Sequence, residues 1–375
     1  MKQRLLLMIS WMLVIQSCHP ERQQPAVPEG NYYAMGFTIQ QDEGYSVLKV
    51  RNPWEQARNV EVEYYLIPRG DTLPDGLTGK NIIRVPVRRV ICLSTSHLAF
   101  LEALGEAESI SGISGIRYVS SPEIEMRIAE GKITDVGYGP NLDYEGIIRQ
   151  KPDLVMVYGV DNEIVGFLDK FRDLGIPAVI LAEYLEETPL GKAEWIRFTA
   201  EFFGKTSKGD SIFSEIETKY LKLANKAGQA DERPFVMVGL PYRDVWWIPG
   251  GKSYLAQLIA DAGGIYVGRD NPSHESYVIS REKAITLSSE ASIWINTGNV
   301  ASKSDIIAAD SRFSQFPLFR NARIYNNNKR STPGGGMDFW ESGTLRPDLI
   351  LSDLIRIFHP GLLPEEELTY YREIK

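Results

Sequence analysis

The chain has 375 residues, with 41 Lys and Arg against 49 Asp and Glu, a formal charge of −8. Two cysteines exclude a disulfide framework and a four-thiolate zinc site, and four scattered histidines give no local metal-ligand pair. The acidic balance argues against nucleic acid as a partner, and at roughly 150 residues per domain the length suggests about two domains.

Residues 1–17 read as a signal peptide. Met1-Lys2-Gln3-Arg4 is basic, and an apolar run from Leu5 to Ile15 follows. The run is shorter than the ~20 residues needed to span a bilayer. Ile15-Gln16-Ser17-Cys18 looks like a bacterial lipoprotein cleavage box, with the cut before Cys18 and the lipid on its thiol. Gln16 departs from the small or aliphatic residue usual there, and a plain signal with an incidental cysteine is the alternative. Residues 18–30, rich in Pro, Gln and Glu, form a flexible tether. The lipid alone would hold the chain to the membrane, on its periplasm-facing side.

Residues 31–85 have β character. Strands at 37–39 and 45–50 flank the turn signal Asp42-Glu43-Gly44, and 59–67 alternates in the manner of a third strand. From Val87 apolar runs alternate with helical patterns. Val90-Ile91-Cys92-Leu93 is a strand, Ser94-Thr95-Ser96 can cap a helix over 97–104, and Gly105 ends it. Cys92 is a small buried hydrophobe. Strands at 110–113, 154–158 and 178–181 and helices at 142–150 and 165–174 complete a first lobe over 86–188. Apolar strands separated by helices imply a mostly parallel sheet covered on both faces. Helices at 193–203 and 207–227 fill a linker over 189–232. The second of them is predicted to be about 30 Å long at 1.5 Å per residue. Alternation resumes at 235–239 and runs through a second lobe over 233–375, with helices at 253–262, 280–288 and 347–358 and strands at 293–297 and 323–325. The expected fold is α/β, two mostly parallel-sheet lobes joined by a single long helix, with a β-rich N-terminal extension. No P-loop, Gly-x-Ser-x-Gly elbow or dinucleotide fingerprint is present, and Gly334-Gly335-Gly336 reads as a flexible turn.

Four stretches carry a family resemblance. They are Val90–His97 with Leu101-Glu102-Ala103-Leu104-Gly105; Asn141–Val155, which contains Lys151-Pro152-Asp153-Leu154; Leu174-Gly175-Ile176-Pro177-Ala178-Val179; and Ile279-Ser280-Arg281-Glu282-Lys283-Ala284. In order and spacing they resemble the helical-backbone class of periplasmic substrate-binding proteins, which serve ATP-binding-cassette (ABC) importers of iron–siderophores, haem and vitamin B12. The resemblance covers roughly 87–360, and the β-rich extension lies outside it.

The resemblance implies a ligand held between the lobes by loops at strand ends. Carried over, Ser96, His97, Arg117, Tyr118, Tyr138, Tyr158 and Tyr184 would face the cleft from the first lobe, and Tyr242, Arg243, Trp246, Trp247 and Trp340 from the second. Aromatic rings suit large flat chelates, and Arg117 and Arg243 could pair with carboxylates or catecholates. Glu145 and Glu282, each starting a helix in its own lobe, would dock on permease arginines. The alternative is that Glu simply favours a first helical turn. The resemblance implies a monomer with no cofactor, whose cargo is a small metal chelate: a siderophore first, then cobalamin, then haem. An enzyme on a two-lobed scaffold, or a surface protein whose β-rich segment binds a partner, are the competing functions. No nucleophile–base pair signals the first of these.

Overall fold

The computed structural model describes residues 27–160, 163–241, 245–364 and 367–375. The signal peptide and Cys18 lie outside the described residues.

The β-rich segment is a four-stranded sheet of β1 (Phe37–Asp42), β2 (Tyr45–Arg51), β3 (Glu61–Pro68) and β4 (Ile82–Val85). Strands β1 to β3 are antiparallel neighbours, and β4 adds parallel to β3. The β1–β2 turn is two residues long, and Gly44 supplies the left-handed backbone it needs, at φ 84°. The inner face carries Phe37, Leu48, Val50, Tyr64, Leu66 and Ile83, all buried.

The first lobe is built on β5 (Val90–Cys92), β6 (Ile110–Ile113), β7 (Thr134–Asp135), β8 (Leu154–Val157) and β9 (Ala178–Ile180). All pairings are parallel, in the order β7-β6-β5-β8-β9. Helices α1 (Ser96–Leu104), α2 (Pro122–Ala129), α3 (Tyr144–Gln150) and α4 (Glu163–Asp173) connect them. Strands β5 and β8 are buried along their whole length, the pattern of a sheet covered on both faces. Cys92 lies in this core, and burial pushes its thiol pKa far up, so it is unreactive.

Two helices then cross between the lobes, α5 (Pro189–Glu201) and α6 (Thr206–Ala227). At 22 residues, α6 is roughly 33 Å long. It buries Phe213, Ile216, Tyr220 and Ala227 on one stripe. Helix α5 is buried on almost every side. Its Trp195 and Phe198 meet the Phe37 ring of the extension at 5.0 and 5.4 Å between centroids.

The second lobe has β10 (Phe235–Val238), β11 (Trp246–Ile248), β12 (Ile265–Tyr266), β13 (Tyr277–Ile279), β14 (Ile293–Ile295), β15 (Arg323–Asn326) and β16 (Arg372–Glu373). Its sheet runs β12-β10-β14-β15-β16, parallel except for β16 at the edge. Strands β11 and β13 form a separate antiparallel ribbon. The helices are α7 (Tyr254–Asp261), α8 (Arg281–Ser288), α9 (Lys303–Ala309), α10 (Pro317–Asn321) and α11 (Pro347–Phe358).

The segment read as a flexible turn at 334–336 is instead a close inter-lobe contact. A Cβ on Gly334 or Gly336 would collide with the carbonyl oxygen of Arg117 or Tyr118, respectively. Thr332 Oγ1 donates to the Arg117 carbonyl at 3.2 Å. Glu341 accepts from the main-chain N–H of Ser120 at 2.9 Å and of Ser121 at 2.8 Å.

Candidate functional site

Parallel strands leave their C-terminal ends at one edge of each sheet, and the loops there are the usual ligand positions in α/β folds. In the first lobe these loops gather the tyrosines. Gly115, left-handed at φ 71°, turns the chain after β6. A Cβ there would come within 2.9 Å of the Tyr118 ring, so the turn requires glycine on two counts. The Arg117 guanidinium lies 4.6 Å from the Tyr118 ring centroid and donates to its hydroxyl. Tyr118 meets Tyr138 edge-on at 6.2 Å. Tyr138 and Tyr158 line the same cavity, and Tyr158 meets Tyr184 at 6.4 Å. The Tyr184 hydroxyl donates to the Gly159 carbonyl at 2.7 Å. Burial, then the interaction with Tyr138, pushes the Tyr158 hydroxyl up to about 12, so it is neutral at physiological pH. Tyr138 is 55% exposed and stands outermost.

Ser96 lies lower on the same edge. Its hydroxyl donates to Glu183 Oε1 at 2.7 Å and is 2.9 Å from that of Ser94. Glu183 is buried, its carboxyl pKa is raised chiefly by that burial, and its Oε2 has no hydrogen-bond partner. The nearest compensating charge is Lys192 of α5, whose ammonium lies 5.2 Å from the Tyr254 ring of the second lobe. Sequence reasoning named Ser96 but missed its partners Glu183 and Lys192, because the three residues come from separate elements.

Two of the predicted residues belong to the core rather than the cleft surface. His97 is 0% exposed, with neither ring nitrogen hydrogen-bonded. Burial drives its pKa down to about 3, so it is a neutral filler against the edge of Tyr158. The physical reason is helical spacing: His97, Leu101 and Leu104 share the buried stripe of α1. Trp246 is 3% exposed and packs among Trp294, Phe313 and Phe316 at 5.9–6.4 Å. Its neighbour Trp247 points to the opposite face of the ribbon, as strand alternation requires. Trp247 is 56% exposed and pairs across the ribbon with exposed Val278. Trp340 is 50% exposed and stands edge-on to Phe339 at 4.7 Å, on the segment that touches the first lobe. Tyr242 and Arg243 lie outside the described residues.

Glu145 and Glu282 occupy the same position in α3 and α8, the second residue after an N-cap. The caps are Asp143 and Ser280, whose side chains accept from Gly146 and Lys283 N–H. Both carboxylates are exposed. Glu145 has only a loose contact with Arg149 at 3.8 Å. Backbone and Ser280 hydrogen bonds hold the Glu282 carboxyl below its usual range.

Among the described residues no group of three or more His, Cys, Asp or Glu side chains is placed to hold a metal ion. No helix among them is long and apolar enough to cross a membrane.

Two parallel-sheet lobes on a shared pair of crossing helices, with aromatic loops at the strand ends, define a solute-binding architecture. The model of the family described as periplasmic binding protein matches residues 90–330, and the chain belongs to that family. It is therefore an extracytoplasmic binding protein and not an enzyme. It is similar to an uncharacterised lipoprotein of Methanocaldococcus jannaschii, 30% identical over 74% of this chain and 67% of that one. Among solved structures it resembles a possible iron-binding, periplasmic solute-binding protein of Staphylococcus epidermidis (19% identity, TM-score 0.56, 72% of this chain and 98% of that one). It also resembles a periplasmic haem-binding protein of Roseiflexus sp. RS-1 (22% identity, TM-score 0.56, 73% and 99%). The family match begins at residue 90, beyond the N-terminal sheet.

Proposed function

We propose that this chain is the substrate-binding lipoprotein of an ABC importer. It captures an iron chelate of the siderophore type, or a related metal-organic ligand such as cobalamin or haem, between its lobes and delivers it to the permease. The observation that carries the reading is the run of four tyrosines, Tyr118, Tyr138, Tyr158 and Tyr184, side by side at the first-lobe strand ends. Such a surface holds a large flat chelate by stacking, with hydroxyls and Arg117 for orientation. Exposed Trp247 and Trp340 supply aromatic surface from the second lobe. Tyr242 and Arg243 complete the proposed set. His97 and Trp246 support it from beneath.

Two solved relatives in fold carry iron-binding and haem-binding in their descriptions, which agrees with this class of cargo. The M. jannaschii relative bears the name lipoprotein, in keeping with a lipid on Cys18. The protein works as a monomer anchored on the periplasm-facing side of the membrane, and the matching positions of Glu145 and Glu282 support them as its permease contacts. The test is titration of the mature protein with a ferric siderophore, cobalamin and haem, read by tryptophan fluorescence. Six of the seven tryptophans remain once Trp11 is removed with the signal. Saturable quenching by one of the three is expected, and none by any of them overturns the reading.

A further inference from the structure

A cavity of about 200 Å³ opens among the loops after β5, β6, β7 and β8, with the exposed Tyr138 in its lining. Leu93, Leu142, Ile164 and Phe167 wall it, with Tyr138 and Tyr158 at the rim. Among the described residues no charged side chain lines it. Two of the polar groups in the lining are already engaged: Ser114 Oγ donates to the Gly137 carbonyl at 2.7 Å, and the Gly159 carbonyl accepts from the Tyr184 hydroxyl at 2.7 Å. Gly159 shapes the floor, since a Cβ there would come within 2.7 Å of Ile164.

We infer that this cavity is a subsite for a neutral apolar substituent of the ligand, one six-membered ring or a short branched alkyl group in size. The inference rests on the reading of the tyrosine surface as the place where the chelate stacks. A chelate lying on Tyr138 and Tyr158 has this opening under its edge, so a side arm can descend while the metal-binding core stays on the rings. A cavity of about 150 Å³ is enough for benzene, so the volume suits one substituted ring. Chemistry limits the side arm as strongly as size does. A carboxylate or ammonium drawn in would lose its hydration against the apolar walls of Leu93, Leu142, Ile164 and Phe167. The subsite therefore separates ligands by their appendages, while the tyrosine surface accepts the chelate common to all of them.

The test has two arms. In the first, fluorine NMR follows 4-fluorotoluene, 4-fluorobenzylammonium and 4-fluorobenzoate with the wild type, with Leu142→Trp, which fills the cavity, and with Ile164→Ala, which enlarges it. The wild type is expected to bind the neutral probe at least tenfold more tightly than either ion. Leu142→Trp should abolish that binding, and Ile164→Ala should retain it, so a failure of the tryptophan variant to fold leaves the alanine variant and the charge series to decide. Equal binding of neutral and charged probes, or neutral-probe binding undiminished in folded Leu142→Trp, overturns the subsite. In the second arm, ferrioxamine B is compared with its N-acetyl and N-benzoyl derivatives by fluorescence titration. A benzoyl preference of tenfold or more, lost in Leu142→Trp while acetyl binding persists, is expected. Binding of all three with equal affinity overturns the subsite and leaves the chelate reading standing. Selective binding of 4-fluorotoluene with no binding of any chelate, siderophore, cobalamin or haem overturns the chelate reading and its side-arm role alone.

Discussion

Glu194 of α5 accepts hydrogen bonds from three consecutive main-chain N–H groups of the extension, those of Tyr32, Tyr33 and Ala34, at 2.8–2.9 Å. Replacing it by alanine leaves all three without a partner. Tyr32 is largely exposed, so water can satisfy its N–H, but Ala34 is fully buried and Tyr33 partly so. Each buried donor left unpaired costs about 1–3 kcal/mol, which puts the two inner ones together at roughly 2–6 kcal/mol. The Arg197 guanidinium loses this partner but keeps Asp210 at 2.7 Å and the Gly30 carbonyl at 2.9 Å, so it adds little. The total agrees with the ~3–5 kcal/mol found when one partner of a buried pair is removed. Urea unfolding of Glu194→Ala should show a loss of about 3 kcal/mol, and hydrogen exchange should show loss of protection at residues 33–36 before the rest of the chain opens. Ligand affinity should be unchanged, because residues 32–34 are held by α5 and not by the tyrosine loops. A loss under about 1 kcal/mol with protection intact would refute the account of the extension as a clamped part of the fold.

The two strongly shifted groups at and behind the inter-lobe region predict opposite pH limbs. His97, with its pKa depressed to about 3, supports stability above about 6.5 and withdraws it as pH falls towards 3; His97→Leu should flatten that acid limb, by at most about 5 kcal/mol, in unfolding measured across pH. Glu341, raised to about 8 chiefly by burial, leaves the fold most stable below about 4.5 and costs stability as pH rises through 8; Glu341→Gln should remove that slope, and an unchanged slope would show that another group causes it. Gly336→Ala forces a Cβ against the Tyr118 carbonyl and should weaken ligand affinity at least tenfold by displacing the Tyr118 loop, read by titration; equal affinity would mean that the loop adapts. Charge reversal at both Glu145 and Glu282 should abolish uptake into cells while leaving the ligand Kd unchanged, and a weakened Kd would count against their docking role.

The order of strands and helices was legible because buried parallel strands write themselves as unbroken apolar runs. Leu154-Val155-Met156-Val157 is buried at every position. The N-terminal sheet was legible for the opposite reason, as its strands alternate and a two-residue turn separates the first two. Helix α2 left little trace, because only Ile124 of its eight residues is fully buried and its apolar stripe is limited to Ile124 and Ile128. The ribbon of β11 and β13 escaped because three-residue strands carry too short a period. At the site, type was easier to read than direction. Trp246-Trp247 had to place one ring on each face, but which ring faced the core depended on Trp294, Phe313 and Phe316, residues some fifty or more positions away. His97 was misplaced although its spacing to Leu101 and Leu104 already put it on the inner stripe. The glycine triplet was misread because a glycine that permits close approach and one that permits motion are the same letter.

What the sequence could not convey at all is how the irregular segments are held, and one device recurs. A segment without regular structure carries N–H groups with no ladder partner, and a carboxylate with its two oxygens can take several of them at once. Glu186 receives Met35 and Gly36 at 2.9 Å together with the Trp195 indole. Glu194 receives the three residues before them. Glu341 receives Ser120 and Ser121, and Asp353 of α11 receives Thr369, Tyr370 and Tyr371 at 2.6–3.0 Å. Each of these carboxylates is buried, and burial raises the pKa of Glu186, Glu341 and Asp353 despite the donors they face. These groups are thus placed at a cost in solvation that the main-chain bonds offset, and the result is segments fixed to α5 and the turn before it, to the opposite lobe and to α11 respectively. For a binding protein the Glu341 anchor matters most. It fixes the loop from Gly115 to Ser121, which carries Arg117 and Tyr118, against the second lobe. On the proposed reading of Arg117 and Tyr118 as ligand contacts, that surface is ordered before ligand arrives, so less side-chain and loop entropy is lost on binding.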